Sequence, residues 1–197
     1  MGGLHHFLGV KGILDYDTDS VWIGQQQYTD NILRKFGMND CKATWTPVDV
    51  STKLVKEIDS SDEVGQKLYQ SAVGSLFYLS LSTSKILPLL AKFCAKPNKQ
   101  YWTAAKGIFR YLKGTHHYGL FYKTAVSESC TGYSDADWSG DLDDRKSTSG
   151  YIFQIGGTAI SWRSKKQTCV ALSTAEAEYA ALSSVAQEVN VVATAFI

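Results

Sequence analysis

The chain has 197 residues, 44% hydrophobic and 12% aromatic, with 20 Lys and Arg against 19 Asp and Glu. That composition argues against disorder, bounds the chain at one substantial domain or two small ones, and includes no apolar run long enough to span a bilayer. A formal charge of +1 exerts no global pull on nucleic acid, so any phosphate contact must come from local basic clusters.

At the start of the chain, His5 and His6 are adjacent. In a strand they would point to opposite faces, and no third ligand stands at suitable spacing, so a structural or solvent role is expected. Val21-Trp22-Ile23 reads as a short strand. Gln26 to Phe36, with Tyr28, Ile32, Leu33 and Phe36 on one face, reads as a helix ended by Gly37. Thr46-Pro47-Val48-Asp49 breaks regular structure, and the polar stretch Ser51 to Glu63 reads as a linker at a domain boundary.

Val64 to Leu81, carrying Leu68, Ala72, Val73, Leu76, Phe77 and Leu79, is expected to be helical; Gly74 within it costs about 1 kcal/mol relative to Ala. Pro88, in Ser84 to Leu90, would interrupt a helix there. Asn98 to Lys113 places Trp102, Ala105, Ile108, Phe109 and Leu112 on one stripe, with Lys99, Lys106, Arg110 and Lys113 making it basic and Gly114 ending it. A core-docking helix with a solvated basic face is the favoured reading, and a helix lying on nucleic acid the alternative. Gly119 to Tyr122 reads as an edge or opening strand of the unit that follows.

The last third is the most informative. In Gly132 to Trp138 the strand period puts Tyr133, Asp135 and Asp137 on one face and Ser134, Ala136 and Trp138 on the other. Thr148 to Ile155 and Thr158 to Trp162 flank Gly156-Gly157, which is a hairpin signal. A helix is expected from about Thr174, opened by a capping box of Ser173 and Glu176. Within it Glu178, Leu182, Val185, Val189 and Val192 form a stripe that should face the sheet, leaving Glu176 elsewhere. A carboxylate on a buried face is costly unless compensated, and a divalent metal between Asp135 and Glu178 would compensate it. The four cysteines, Cys41, Cys94, Cys130 and Cys169, lack CxxC spacing, so reduced thiols rather than a zinc knuckle or disulfide scaffold are expected.

Beyond these patterns, YSDADWSGDLDDRKSTSGYIF, SWRSKKQ and ALSTAEAEYAAL resemble the ribonuclease H domain of copia-type retrotransposon Pol polyproteins. LHHFLGV, VWIGQQQYTDNILRKFGM, TPVD, YQSAVGSLFYL, AKFCAKP and WTAAKGIFRYLKGT resemble the end of the preceding reverse transcriptase. The resemblance implies an α/β (α+β) fold: a ribonuclease H-like mixed sheet with flanking helices, incomplete at the C-terminus. Residues 1–50 would be a reverse-transcriptase remnant, 51–63 a linker, 64–117 a helical connection and 118–197 a truncated ribonuclease H-like domain.

It implies further that Asp135 and Glu178 are catalytic carboxylates, that they and Asp137 bind metal, and that Glu176 is a weaker candidate. Such carboxylates hold two Mg²⁺ about 4 Å apart, which places those of Asp135 and Glu178 within roughly 8 Å. The implied substrate is an RNA–DNA hybrid, gripped through Arg145, Lys146, Arg163, Lys165 and Lys166 and told from DNA by its 2′-hydroxyls. The remainder of the Pol polyprotein is the implied protein partner, no membrane is involved, and an intracellular location, cytoplasm or nucleus, is expected. The polymerase aspartates would precede Met1 and a third nuclease acid would follow Ile197, so weak or absent cleavage is expected. The alternative is a non-catalytic remnant that binds nucleic acid or a host protein.

Overall fold

The computed structural model describes residues 6–7, 9–48, 54, 65–79, 90–91, 93–123 and 129–195. They fall into two compact units, Met1–Ala125 and Val126–Ile197, each mixing helices with an antiparallel sheet.

In the first unit, β1 (His6–Phe7), β2 (Val10–Asp15) and β3 (Ser20–Gly24) are followed by helices α1 (Gln26–Lys35), α2 (Gln66–Tyr78) and α3 (Lys99–Thr115), and then by β4 (Gly119–Lys123). The turn between β2 and β3 is held by Asp15, whose Oδ1 accepts the N–H groups of Asp17 at 3.0 Å and Thr18 at 3.3 Å. Gly37 ends α1 as expected: at φ +64 it lets its own N–H reach the Arg34 carbonyl and that of Met38 reach the Leu33 carbonyl, satisfying two orphan acceptors. Asn98 caps α3, its Oδ1 accepting the Tyr101 N–H at 3.0 Å.

The helices bury Leu33, Tyr69, Leu76, Leu90, Ile108 and Phe109 in one core, with the Phe36 and Phe109 rings stacked 5.1 Å apart. The Tyr69 hydroxyl sits in this core and donates to the Leu90 carbonyl at 3.0 Å; burial pushes its pKa well up.

Several expectations are corrected here. On α2, Leu68 and Phe77 are exposed while Tyr69 is buried, and on α3 Tyr101 and Ala104 are buried while Trp102 only borders the core. Gly114 does not end α3, which runs on to Thr115. Its glycines serve close approach instead: a methyl at Gly107 would lie 2.9 Å from the Pro47 carbonyl oxygen, and one at Gly114 would lie 3.3 Å from the Ala43 side chain. The segment before Pro47 is tied to α3, for Thr44 N–H donates to the Arg110 carbonyl and Arg110 Nε to the Lys42 carbonyl at 2.9 Å. Arg110 is thereby drawn from the expected basic face into a structural role.

The strand expected to open the nuclease unit does not do so. Gly119–Lys123 pairs antiparallel with β3, from Gly119 opposite Gly24 to Lys123 opposite Ser20, and closes the first sheet in the order β1-β2-β3-β4. His5, Asp49, Ser84 to Leu89 with Pro88, and the expected linker apart from Leu54 lie outside the described residues.

The second unit contains β5 (Cys130–Asp137), β6 (Thr148–Ile155), β7 (Thr158–Lys166) and α4 (Thr174–Ala195). The three runs pair in the expected antiparallel order β5-β6-β7. Gly156 at φ +58 and Gly157 at φ +80 make the tight turn between β6 and β7, a conformation that glycine adopts without steric cost. Helix α4 packs on β5 and β6.

Candidate metal centre on the strand Cys130–Asp137

Cross-strand partners share a sheet face, and the register of β5, β6 and β7 therefore sorts their side chains. One face carries Gly132, Ser134 and Ala136 with Ser149, Tyr151, Phe153 and Ser161. This is the helix side: Phe153 is buried, and Ser161 Oγ donates to Glu188 of α4 at 2.8 Å. Gly132 has no side chain because the Phe153 ring occupies that space, 2.7 Å from where a methyl would sit. The other face carries the exposed Tyr133, Asp135 and Asp137, as the strand period predicts.

Local chemistry fixes the start of α4. Ser173 Oγ accepts the Glu176 N–H at 3.2 Å. The reciprocal half of the box is shifted by one residue, since Glu176 Oε2 accepts the N–H of Leu172 at 2.7 Å. Glu176 is thus occupied in capping. Gln167 ties the same end to the sheet: its Nε2 donates to Ser149 Oγ at 2.8 Å and to the Ala177 carbonyl at 2.9 Å.

One turn into the helix, Glu178 is half-buried and its Oε1 accepts the backbone N–H of Ala136 at 3.4 Å. The helix carboxylate therefore reaches the residue next to Asp135. The expected stripe is otherwise displaced by about one residue. Ala177, Ala181 and Val192 are buried, whereas Leu182 and Val189 are exposed. Alanines permit close approach of helix and sheet, which branched side chains at the interface would prevent.

Asp137 turns toward its own loop. A methyl at Gly140 would collide with both Asp137 carboxylate oxygens, so this side chain lies over the start of the 138–147 segment. That loop is tightly built. Ser139 and Arg145 hold positive φ of 55 and 58, the wholly buried Ser147 Oγ accepts the Ser139 N–H at 3.1 Å, and Lys166 Nζ bonds Asp141 as well as Asp144, the latter at 2.8 Å.

Among the described residues no group of three or more His, Cys, Asp or Glu side chains is arranged to hold a metal ion. The set Asp135, Glu178 and Asp137 is therefore not gathered as a trio. Asp135 and Glu178 still offer hard oxygen donors on adjoining elements, which fits Mg²⁺ chemistry as part of a coordination sphere.

Of the five basic candidates, Lys166 is committed to Asp141 and Asp144. Arg145 is exposed on the loop and Lys146 is half-buried beside it. Arg163 and Lys165 are exposed, but their strand partners Tyr151 and Ser149 place them on the helix side, opposite Asp135. The clasp between Lys166 and the loop aspartates was signalled only as a run of charges, DLDDRK and WRSKK, without any indication that they pair.

No helix among the described residues is long and apolar enough to cross a membrane. No protein-family model and no solved structure matches the chain. It is 36% identical over 197 residues to the retrovirus-related Pol polyprotein from transposon TNT 1-94 of Nicotiana tabacum, covering 95% of this chain and 15% of that protein. It is 31% identical over 193 residues to the uncharacterized mitochondrial protein AtMg00810 of Arabidopsis thaliana, covering 96% of this chain and 79% of that protein. A third relative, secreted RxLR effector protein 161 of Plasmopara viticola, is 48% identical over 124 residues, 61% of this chain and 87% of its own length.

Proposed function

The chain belongs to the copia-type retrotransposon Pol polyprotein family, and on that premise we propose that its second unit is a ribonuclease H-like module bearing part of a Mg²⁺ site directed at the RNA strand of an RNA–DNA hybrid. The first unit, on the same reading, is the end of a reverse transcriptase followed by a helical connection, and the remainder of the polyprotein is its partner. The observation that carries the proposal is the 3.4 Å bond from Ala136 N–H to Glu178 Oε1. It brings a helix carboxylate onto the strand that presents Asp135.

Asp135 and Glu178 are the residues that would hold the metal. Mg²⁺ in such sites activates a water molecule for attack on phosphorus and stabilises the leaving 3′-oxygen. This chain's own contribution is orientation. The Ala136 N–H fixes one carboxylate oxygen of Glu178 and leaves the other for a cation, while Asp135 stands on the open face of the sheet. Arg145 and Lys146 lie on the adjoining loop, where they can meet the hybrid's phosphates.

A second reading, a binding module without catalysis, draws on the absence of a gathered acidic trio among the described residues. Both readings are tested with a labelled hybrid incubated with wild-type, Asp135→Asn and Glu178→Gln chains. The nuclease-derived site predicts salt-sensitive hybrid binding and slow cleavage that requires Mg²⁺ and that both substitutions remove. Hybrid binding with no cleavage, indifferent to Mg²⁺ and to both substitutions, would favour the binding module.

A further inference from the structure

The first unit presents an indole laid along a sheet. In β2, β3 and β4 the register sets Lys11, Gly24 and Gly119 in one row, Ile13, Trp22 and Phe121 in the next, and Asp15, Ser20 and Lys123 in a third. Directly paired residues share a face, and so do alternate rows, so these nine positions form one surface. The glycines are what let Trp22 lie down. A methyl at Gly24 would collide with the outer carbons of the Trp22 six-membered ring, and one at Gly119 would sit 2.6 Å from its Cε2 and 2.7 Å from its Nε1. The indole therefore spans both glycines with one π face against their backbone and the other turned away from the sheet.

Ile13, 42% exposed, and Phe121, 51% exposed, flank it on the neighbouring strands. Lys11 and Lys123, both exposed, stand at diagonal corners. Asp15, at a third corner, is engaged by the N–H groups of its own turn.

We propose that this surface is a stacking platform for single-stranded nucleic acid, with an unpaired base on Trp22 and the flanking phosphates at Lys11 and Lys123. A flat π surface with cations a few residues away complements a base and its phosphates. The bases of a duplex are already stacked and cannot reach it. An apolar protein surface would leave the two ammonium groups unmatched. The acidic turn residues Asp17 and Asp19 repel phosphate at one end and bound the site there. The choice of nucleic acid is in keeping with the nuclease reading, but no residue of the second unit takes part, and that reading can fail without touching this site.

The test is fluorescence anisotropy of labelled oligothymidine and oligouridine, each about 15 nucleotides, with the whole chain in EDTA at low salt. Trp22→Ala should weaken binding on the order of 5- to 100-fold, and Trp22→Phe should keep most of it, as stacking on an aromatic ring requires. Lys11→Gln with Lys123→Gln should lower the salt slope by roughly one unit. Trp45→Ala, at an indole that is 84% exposed elsewhere in the unit, and Asp135→Asn should both bind as the wild type does. If Trp22→Ala fails to fold by circular dichroism, Phe121→Ala and the lysine pair decide in its place. No oligonucleotide binding, binding unchanged in the Trp22 or Phe121 variants, or equal affinity for a duplex of the same length would each overturn the platform.

Discussion

Ser147 has no exposed surface, and its hydroxyl accepts the N–H of Ser139, a residue held at φ +55. Replacing it by Ala strands that donor beneath the loop and is expected to cost about 1–3 kcal/mol in chemical denaturation. The neighbouring clasp sets a pH window. The hydrogen bond from Lys166 is the main cause holding the Asp144 carboxyl below its ordinary value of 3.8. Burial pulls the Lys166 ammonium down, but hydrogen bonds and charge from Asp141 and Asp144 outweigh it and raise the pKa above 10.5. A depressed carboxyl contributes stability above its unfolded pKa and loses it as pH falls through the folded one; a raised ammonium contributes below its unfolded pKa and loses it as pH rises through the folded one. The clasp is thus complete between about pH 4 and pH 10. Lys166→Met should lower the melting temperature inside that window and flatten its fall in acid; a melting curve against pH identical to the wild type would show that the clasp carries no stability.

Asn98 shows how far local chemistry reaches in α3. Its cap on the Tyr101 N–H is buried, and Asn98→Ala should cost about 1 kcal/mol. Existence and type of α1, α2, α3 and α4, and the β6–β7 hairpin, were legible because each follows from periodicity plus a terminal signal such as Gly37, Ser173 or Gly156-Gly157. Which side of a helix is buried was less legible. In α4 the branched residues Leu182 and Val189 looked like the interface, yet the alanines Ala177 and Ala181 are buried, because close packing on the sheet selects small side chains that hydrophobicity alone does not rank. Gly114 looked like a stop signal and is instead a point of close approach to Ala43. By the same logic Gly107→Ala, which would press a methyl against the Pro47 carbonyl, should destabilise the first unit by about 1–3 kcal/mol despite its higher helix propensity. A gain in stability would show that the segment before Pro47 gives way.

Chain order misled the reading only where a long-range pairing intervened. Gly119–Lys123 follows α3 and precedes the nuclease motifs, and nothing in five residues of alternating pattern reveals that its partner is Ser20–Gly24. The candidate metal centre was more legible, since Asp135 and Glu178 were singled out from strand and helix spacing before any geometry, and the helix does bring Glu178 to Ala136. Asp137 was not, because its turn back over Gly140 depends on the loop's conformation and not on strand alternation. The account's central claim is that Asp135 and Glu178 share a divalent cation. The most direct measurement is a Mn²⁺ titration of the isotopically labelled chain followed by nuclear magnetic resonance. The expected result is selective paramagnetic broadening of amides in residues 134–137 and 176–179, with apparent affinity falling more than about 10-fold in both Asp135→Asn and Glu178→Gln. Broadening that is absent from those two segments, or that persists unchanged in both variants, would contradict it.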